Sequence, residues 1–94
     1  MLKIDFSRQA QKFLQELQQG NPKHARQLAH KLQALRENPA PPDAASMKGK
    51  AATWWRVDAG EYRIVYRVEA DILKVAVIGK RNDADVYRRL ERKL

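Results

Sequence analysis

In Tyr62-Arg63-Ile64-Val65-Tyr66-Arg67-Val68, apolar or aromatic side chains take every second position from Tyr62 onward. Successive strand residues point to opposite faces, so Tyr62, Ile64, Tyr66 and Val68 share one side, and Arg63, Val65 and Arg67 share the other. A strand with one apolar and one basic face needs neighbours, and both flanks supply them. Residues 53–57 precede it across Asp58-Ala59-Gly60-Glu61, and residues 72–78 follow across Glu69-Ala70-Asp71, connections short enough for hairpins. Residues 72–78 are apolar on both sides except at Lys74, which predicts a strand covered on both faces. Near the start of the chain Leu2, Ile4 and Phe6 predict one more short strand over residues 2–6.

The apolar period changes between these strands. After Ser7, a candidate N-cap, Ala10, Phe13, Leu14 and Leu17 recur at helical spacing, and Gly20 follows the last turn. Asn21-Pro22 restarts the pattern, with Asn as N-cap and Pro where a missing N–H costs nothing. Ala25, Leu28, Ala29, Leu32 and Leu35 then form a second stripe that Asn38-Pro39 ends. Two amphipathic helices joined so tightly make an antiparallel hairpin whose apolar side requires a sheet. Residues 38–47 hold three prolines and no period, predicting an extended connection. Asp83 caps a final short helix with Val86, Tyr87, Leu90 and Leu94 inward. The expected class is α+β: a small antiparallel sheet, an N-terminal helix hairpin on one face and a short C-terminal helix, in one domain spanning residues 1–94.

Composition narrows the function. The 94 residues carry 19 Lys and Arg against 11 Asp and Glu, a net charge of +8 that suits a polyanionic partner, nucleic acid or acidic protein. Absent cysteine excludes disulfides, thiol catalysis and thiolate zinc sites, and His24 and His30 cannot by themselves hold a metal. His24 and His30 stand six apart on one helix, which predicts different faces and no joint catalysis. No apolar run resembles a signal peptide or a membrane span, so a cytoplasmic protein is expected.

Arg63 and Arg67 lie about 13 Å apart on the strand face opposite the helices, a face expected to be open. Arg56 on the preceding strand and Lys80-Arg81 after the last one are placed to converge there. Lys48 and Lys50 stand in the connection, and Arg88 in the basic tail. Trp54 and Trp55 point to opposite sides of their strand, so at most one can stack on a base. Tyr62 and Tyr66 belong to the helix-covered side and read as structural.

The string Gly60-Glu61-Tyr62-Arg63-Ile64-Val65-Tyr66-Arg67-Val68, followed by Gly79-Lys80-Arg81-Asn82-Asp83-Ala84-Asp85-Val86-Tyr87-Arg88, resembles the RelE branch of the RelE/ParE toxin superfamily. The resemblance implies a ribosome-dependent endoribonuclease that cuts mRNA in the A site, uses no cofactor or metal, and is held inactive by a cognate antitoxin. It implies that Arg63 contacts the scissile phosphate, that Arg81 serves as general acid or stabiliser of the leaving group, and that Tyr87 orients or stacks on the substrate. Arg56 matches one of two family lysines credited with activating the 2′-hydroxyl, while the other position is Trp54, a departure that leaves the general base open.

Residue chemistry bears on that gap. Arginine suits a phosphate because its fork is always charged and binds two oxygens at once. As a base it is poor: lowering its pKa to neutrality takes roughly 7 kcal/mol, against roughly 4.6 kcal/mol for lysine. Lys48, Lys50 and Lys80 are therefore better candidates than Arg56, with Glu61 a further one, and Lys48, Lys50, Arg67, Lys80 and Arg88 are the expected RNA contacts. Two alternatives stand beside this reading: a ParE-like inhibitor of DNA gyrase, and a degenerate toxin that only binds its antitoxin.

Overall fold

The computed structural model describes residues 1–46 and 54–82. Within them the chain runs β1 (Lys3–Phe6), α1 (Arg8–Gly20), α2 (Pro22–Glu37), β2 (Ala45–Ser46), β3 (Trp55–Ala59), β4 (Tyr62–Glu69) and β5 (Ile72–Lys80). The strands form one sheet in the order β1-β5-β4-β3-β2. The expected α+β architecture is present, with one correction. The sheet is mixed: β1 joins β5 in parallel, with Lys3 opposite Ile72 and Phe6 opposite Val75, and the other pairings are antiparallel. Side-chain alternation reports faces and is silent on strand direction. The expected C-terminal helix lies outside the described residues.

Both helices begin where the caps predict. The Ser7 hydroxyl accepts from the Ala10 N–H at 3.1 Å and donates to the Ala76 carbonyl, so one side chain caps α1 and ties it to β5. Gln9 extends that tie, because its amide accepts from the Ile78 N–H at 3.0 Å and donates to the Ile78 carbonyl at 2.8 Å. The carboxamide thus continues on β5 the ladder that β1 leaves at Phe6. Asn21 caps α2 by accepting from the His24 N–H at 3.3 Å, with Pro22 at the first helical position.

Ala10 from α1 and Leu28, Leu32 and Leu35 from α2 pack on Val57, Ala59, Tyr62, Ile64, Tyr66, Leu73, Val75 and Ile78 of the sheet. Tyr62 meets Phe13 and His24 edge-on, with ring centroids at 5.8 and 5.4 Å, and its hydroxyl lies 2.8 Å from His24 Nδ1. Tyr66 donates to the Pro39 carbonyl at 2.6 Å, pinning the connection after α2. Both tyrosines are structural on the helix-covered side, as the strand period predicts.

Three local features depart from the sequence reading. β2 lies inside the connection expected to be extended, with Ala45 opposite Arg56. β3 ends two residues later than expected because its turn contains only Gly60 and Glu61, with Ala59 opposite Tyr62. A register shift between Val65 and Tyr66 lets both Ala76 and Val77 of β5 turn away from the helices. Among the described residues, no helix is long and apolar enough to cross a membrane.

Candidate active site

The sheet face away from the helices is not open at its centre, contrary to the sequence expectation. Val65 and Val77 are both 0% exposed and form a second apolar cluster with Ala76, against which Trp54 packs. The register shift explains it, since two consecutive apolar residues of β5 share this side. The cluster divides the polar side chains of the face into two groups.

One group sits at the β3–β4 turn. Asp58 and Arg63 are direct cross-strand partners, one pair in from the Ala59–Tyr62 pair that closes the hairpin. Arg63 Nε donates to Asp58 Oδ1 at 2.7 Å and Nη2 donates to Oδ2 at 3.3 Å, a two-point grip by a side chain that is 16% exposed. Those hydrogen bonds hold the Asp58 carboxyl below the ordinary carboxylate value, against partial desolvation, and the charges of Arg63, Arg81 and Arg56 pull the same way. Arg56 lies two residues before Asp58 on the same side of β3. Arg81 follows β5, and its N–H donates to the Glu61 carbonyl at 3.0 Å. Arg63 therefore holds the carboxylate directly at the hairpin end of the sheet, and Arg56 and Arg81 act on it through charge alone.

The other group lies beyond Val65. Arg67 is bonded to Glu69 at 3.0 Å, Lys74 reaches the same carboxylate at 3.2 Å, and the Arg67 guanidinium stands 4.6 Å above the Trp54 ring. Arg67 is thus apart from the other three arginines and engaged in holding Trp54 on the apolar cluster. Trp55 takes the helix side of β3 and is 37% exposed. Lys80 does not join the arginines either: its cross-strand partner is Tyr62, which places it on the helix side, whereas Gly79 stands opposite Arg63. Lys48, Lys50, Tyr87 and Arg88 lie outside the described residues.

Sequence reasoning missed Asp58 by assigning it to a loop. The signal was present, since a turn of two residues at Gly60-Glu61 places residue 58 opposite residue 63. His24 and His30 both line one open groove with Lys23, Arg26, Glu61 and Arg81. Facing the same groove requires only that both lie within its wide arc.

The family model of the ParE toxin of the type II toxin-antitoxin system, parDE, matches residues 4–84. This chain belongs to that toxin family. The expected place in the RelE/ParE superfamily is thereby shown. The toxin is similar in structure to the YoeB-YefM complex from Staphylococcus aureus, at 24% identity, covering 88% of this chain and 99% of that one, with a TM-score of 0.73. It is similar to the YoeB/ParE toxin from Agrobacterium tumefaciens at 19% identity, covering 84% and 98%, with a TM-score of 0.75. It also resembles the toxin-antitoxin complex RelBE2 from Mycobacterium tuberculosis at 17% identity, covering 85% and 98%, with a TM-score of 0.71. These likenesses establish the fold of the toxin. The comparison with curated proteins returned no match.

Proposed function

We propose that this toxin is a ribosome-dependent endoribonuclease that cuts mRNA in the A site, and that a cognate antitoxin holds it inactive. The observation that carries the reading is the two-point grip of Arg63 on the Asp58 carboxylate with the charges of Arg56 and Arg81 acting on the same group, because a guanidinium fork that holds a carboxylate amid further positive charge has the geometry and charge to hold a phosphate.

In the proposed reaction the 2′-hydroxyl oxygen attacks the adjacent phosphorus. The new O2′–P bond forms as the P–O5′ bond breaks, leaving a 2′,3′-cyclic phosphate and a 5′-hydroxyl. The 2′-proton passes to a base and the departing O5′ receives a proton. Arg63 binds the equatorial oxygens with Arg56 adding charge, Arg81 stabilises or protonates the leaving oxygen, and Tyr87 orients the nucleotide. Lys48 or Lys50 serves as base in preference to Arg56, since a lysine needs the smaller pKa shift and Lys80 faces the helix side.

Primer extension on translating ribosomes tests this. Cuts within A-site codons are expected from the wild type, with loss of cutting in Arg63→Ala and Arg81→Ala proteins. Wild-type rates in both variants overturn the assignment. One observation favours a second reading: the family model that matches is that of ParE. Inhibition of gyrase supercoiling without A-site cuts would establish a gyrase inhibitor instead.

A further inference from the structure

The groove beside α2 has no part in the chemistry above except through Arg81. It is an open cleft of about 770 Å³ between the first turns of α2, the β3–β4 turn and the residue after β5. Lys23, Arg26 and His30 follow the i, i+3, i+7 spacing of one helix face, a stripe about 10 Å long, while Ala25, Leu28 and Leu32 of the same helix are buried in the core. The cleft walls fit closely, because a Cβ on Gly60 would stand only 2.6 to 2.8 Å from the Gln27 carboxamide.

Charge identifies the occupant. Lys23, Arg26 and Arg81 face a single acid, Glu61. Among the described residues, Lys3, Lys31, Arg63, Arg67 and Lys74 each have a carboxylate within 4 Å, and none of the three groove cations does. Beyond charge, the lining has no apolar side chain. An amphipathic protein helix docks by apolar anchors and would find none here. A phosphodiester backbone needs cations and hydrogen-bond donors spaced along a line, which this stripe provides. Arg81 belongs to both regions, lining the groove and acting on Asp58.

We infer that the α2 groove is a track for the sugar-phosphate backbone of the RNA, holding the strand on one side of the cut and delivering it to Arg81. The inference rests on the ribonuclease reading for the identity of the strand. Lys23 and Arg26 act in binding, and their loss raises KM while leaving kcat unchanged.

The test compares a Lys23→Ala/Arg26→Ala protein with an Arg8→Ala/Lys12→Ala protein, which loses the same charge from exposed sites on α1. The probe is a labelled single-stranded oligoribonucleotide carrying 2′-O-methyl groups, so that it cannot be cut, titrated over a salt series. For the groove variant the expected result is binding weaker by roughly 10-fold near 0.1 M salt, with a log-log salt slope shallower by about 1.4, as two lost phosphate contacts require. The α1 variant is expected to stay within about 2-fold of wild type. Equal weakening in both variants overturns the track in favour of net charge alone. An unchanged RNA affinity in the groove variant with lost binding of the antitoxin overturns it in favour of a protein site, and a wild type that does not bind the probe overturns it outright. A wild type that binds through Lys23 and Arg26 but leaves ribosomal mRNA uncut sinks the ribonuclease reading and leaves the backbone track standing.

Discussion

Arg63 and Asp58 face each other across the β3–β4 hairpin with Nε and Oδ1 2.7 Å apart, and the same carboxylate feels the charges of Arg56 and Arg81. Asp58 thus fixes the plane of the Arg63 fork, and under the proposed ribonuclease reading it stands in competition with the phosphate for that fork. In an Asp58→Asn protein the two effects separate. Removing one negative charge beside three cations should tighten binding of uncut single-stranded RNA severalfold, while the loosened Arg63 fork should lower the single-turnover cutting rate on ribosomes by roughly 10-fold. Weaker RNA binding in this variant would show that Asp58 does not compete for the phosphate position. The Asp58 carboxyl is held below its unfolded value, so its contribution to stability is present above the ordinary carboxylate range and is lost as pH falls through the lowered value. Asp58→Asn should accordingly flatten the acid limb of the stability profile.

Tyr66 carries the opposite sign of pH dependence. Burial, with a smaller push from Asp43, raises its phenol to about 12. A folded value above the unfolded one means that the stabilisation is full below about pH 10 and disappears between about 10 and 12. With the side chain 1% exposed and its hydroxyl donating to the Pro39 carbonyl, the alkaline loss should reach about 2–3 kcal/mol. Urea unfolding at pH 8 and pH 11 measures the first half of it, about 1.4 kcal/mol. Tyr66→Phe should be less stable by about 1 kcal/mol at pH 8 and lose less between the two pH values than the wild type.

Much of this architecture was legible because it is set by local chemistry. Ser7, Asn21-Pro22 and Asn38 bound the helices through caps that involve residues a few positions away, and the faces of β4 follow from its period of two. What was not legible depends on distant partners. The parallel docking of β1 on β5 leaves no trace in either segment. Ala45–Ser46 is too short to show a period. The shift that turns both Ala76 and Val77 outward, and so buries Val65, is a property of the β4–β5 pair. At the candidate site, Arg56 and Arg63 could be placed from strand alternation, and Arg81 only by its position just after the last strand, since the register shift reverses the faces beyond Ala76. Lys80 could not, because its face depends on where β5 stops and on its pairing with Tyr62. Asp58 was hidden by one choice, four loop residues instead of two.

Gln9 shows the same dependence on a distant partner and gives a third prediction. Its carboxamide supplies both hydrogen bonds of the Ile78 backbone toward α1, and Ile78 is 0% exposed. Gln9→Leu keeps the approximate size and removes both partners, leaving a buried N–H and a buried carbonyl unsatisfied. The expected loss is about 2 kcal/mol, read as a lower urea midpoint with an unchanged slope. Hydrogen exchange at the Ile78 amide should accelerate more than at Val65, which the variant does not touch. Equal acceleration at both amides would point to global destabilisation in place of a local break.

The two tight hairpins make a matched pair for the last prediction. Each has two turn residues, and in each the first has a positive φ: Gly60 at 61° and Ala70 at 56°. Hairpin turns of this length favour glycine at that position, because a Cβ there crowds the backbone by about 1 kcal/mol or more. Ala70 is exposed, so Ala70→Gly relieves the crowding without opening a cavity, partly offset by the greater freedom of glycine in the unfolded chain. The net gain should be about 0.5 kcal/mol, a rise in Tm of about 2–4 °C. Gly60→Ala should act in the reverse sense and more strongly. It introduces the same crowding and brings a Cβ within 2.6 Å of the Gln27 amide, so that side chain must move away from the turn. A loss of about 1–2 kcal/mol is expected. If the two substitutions shift Tm in the same direction, positive φ is not what governs these turns.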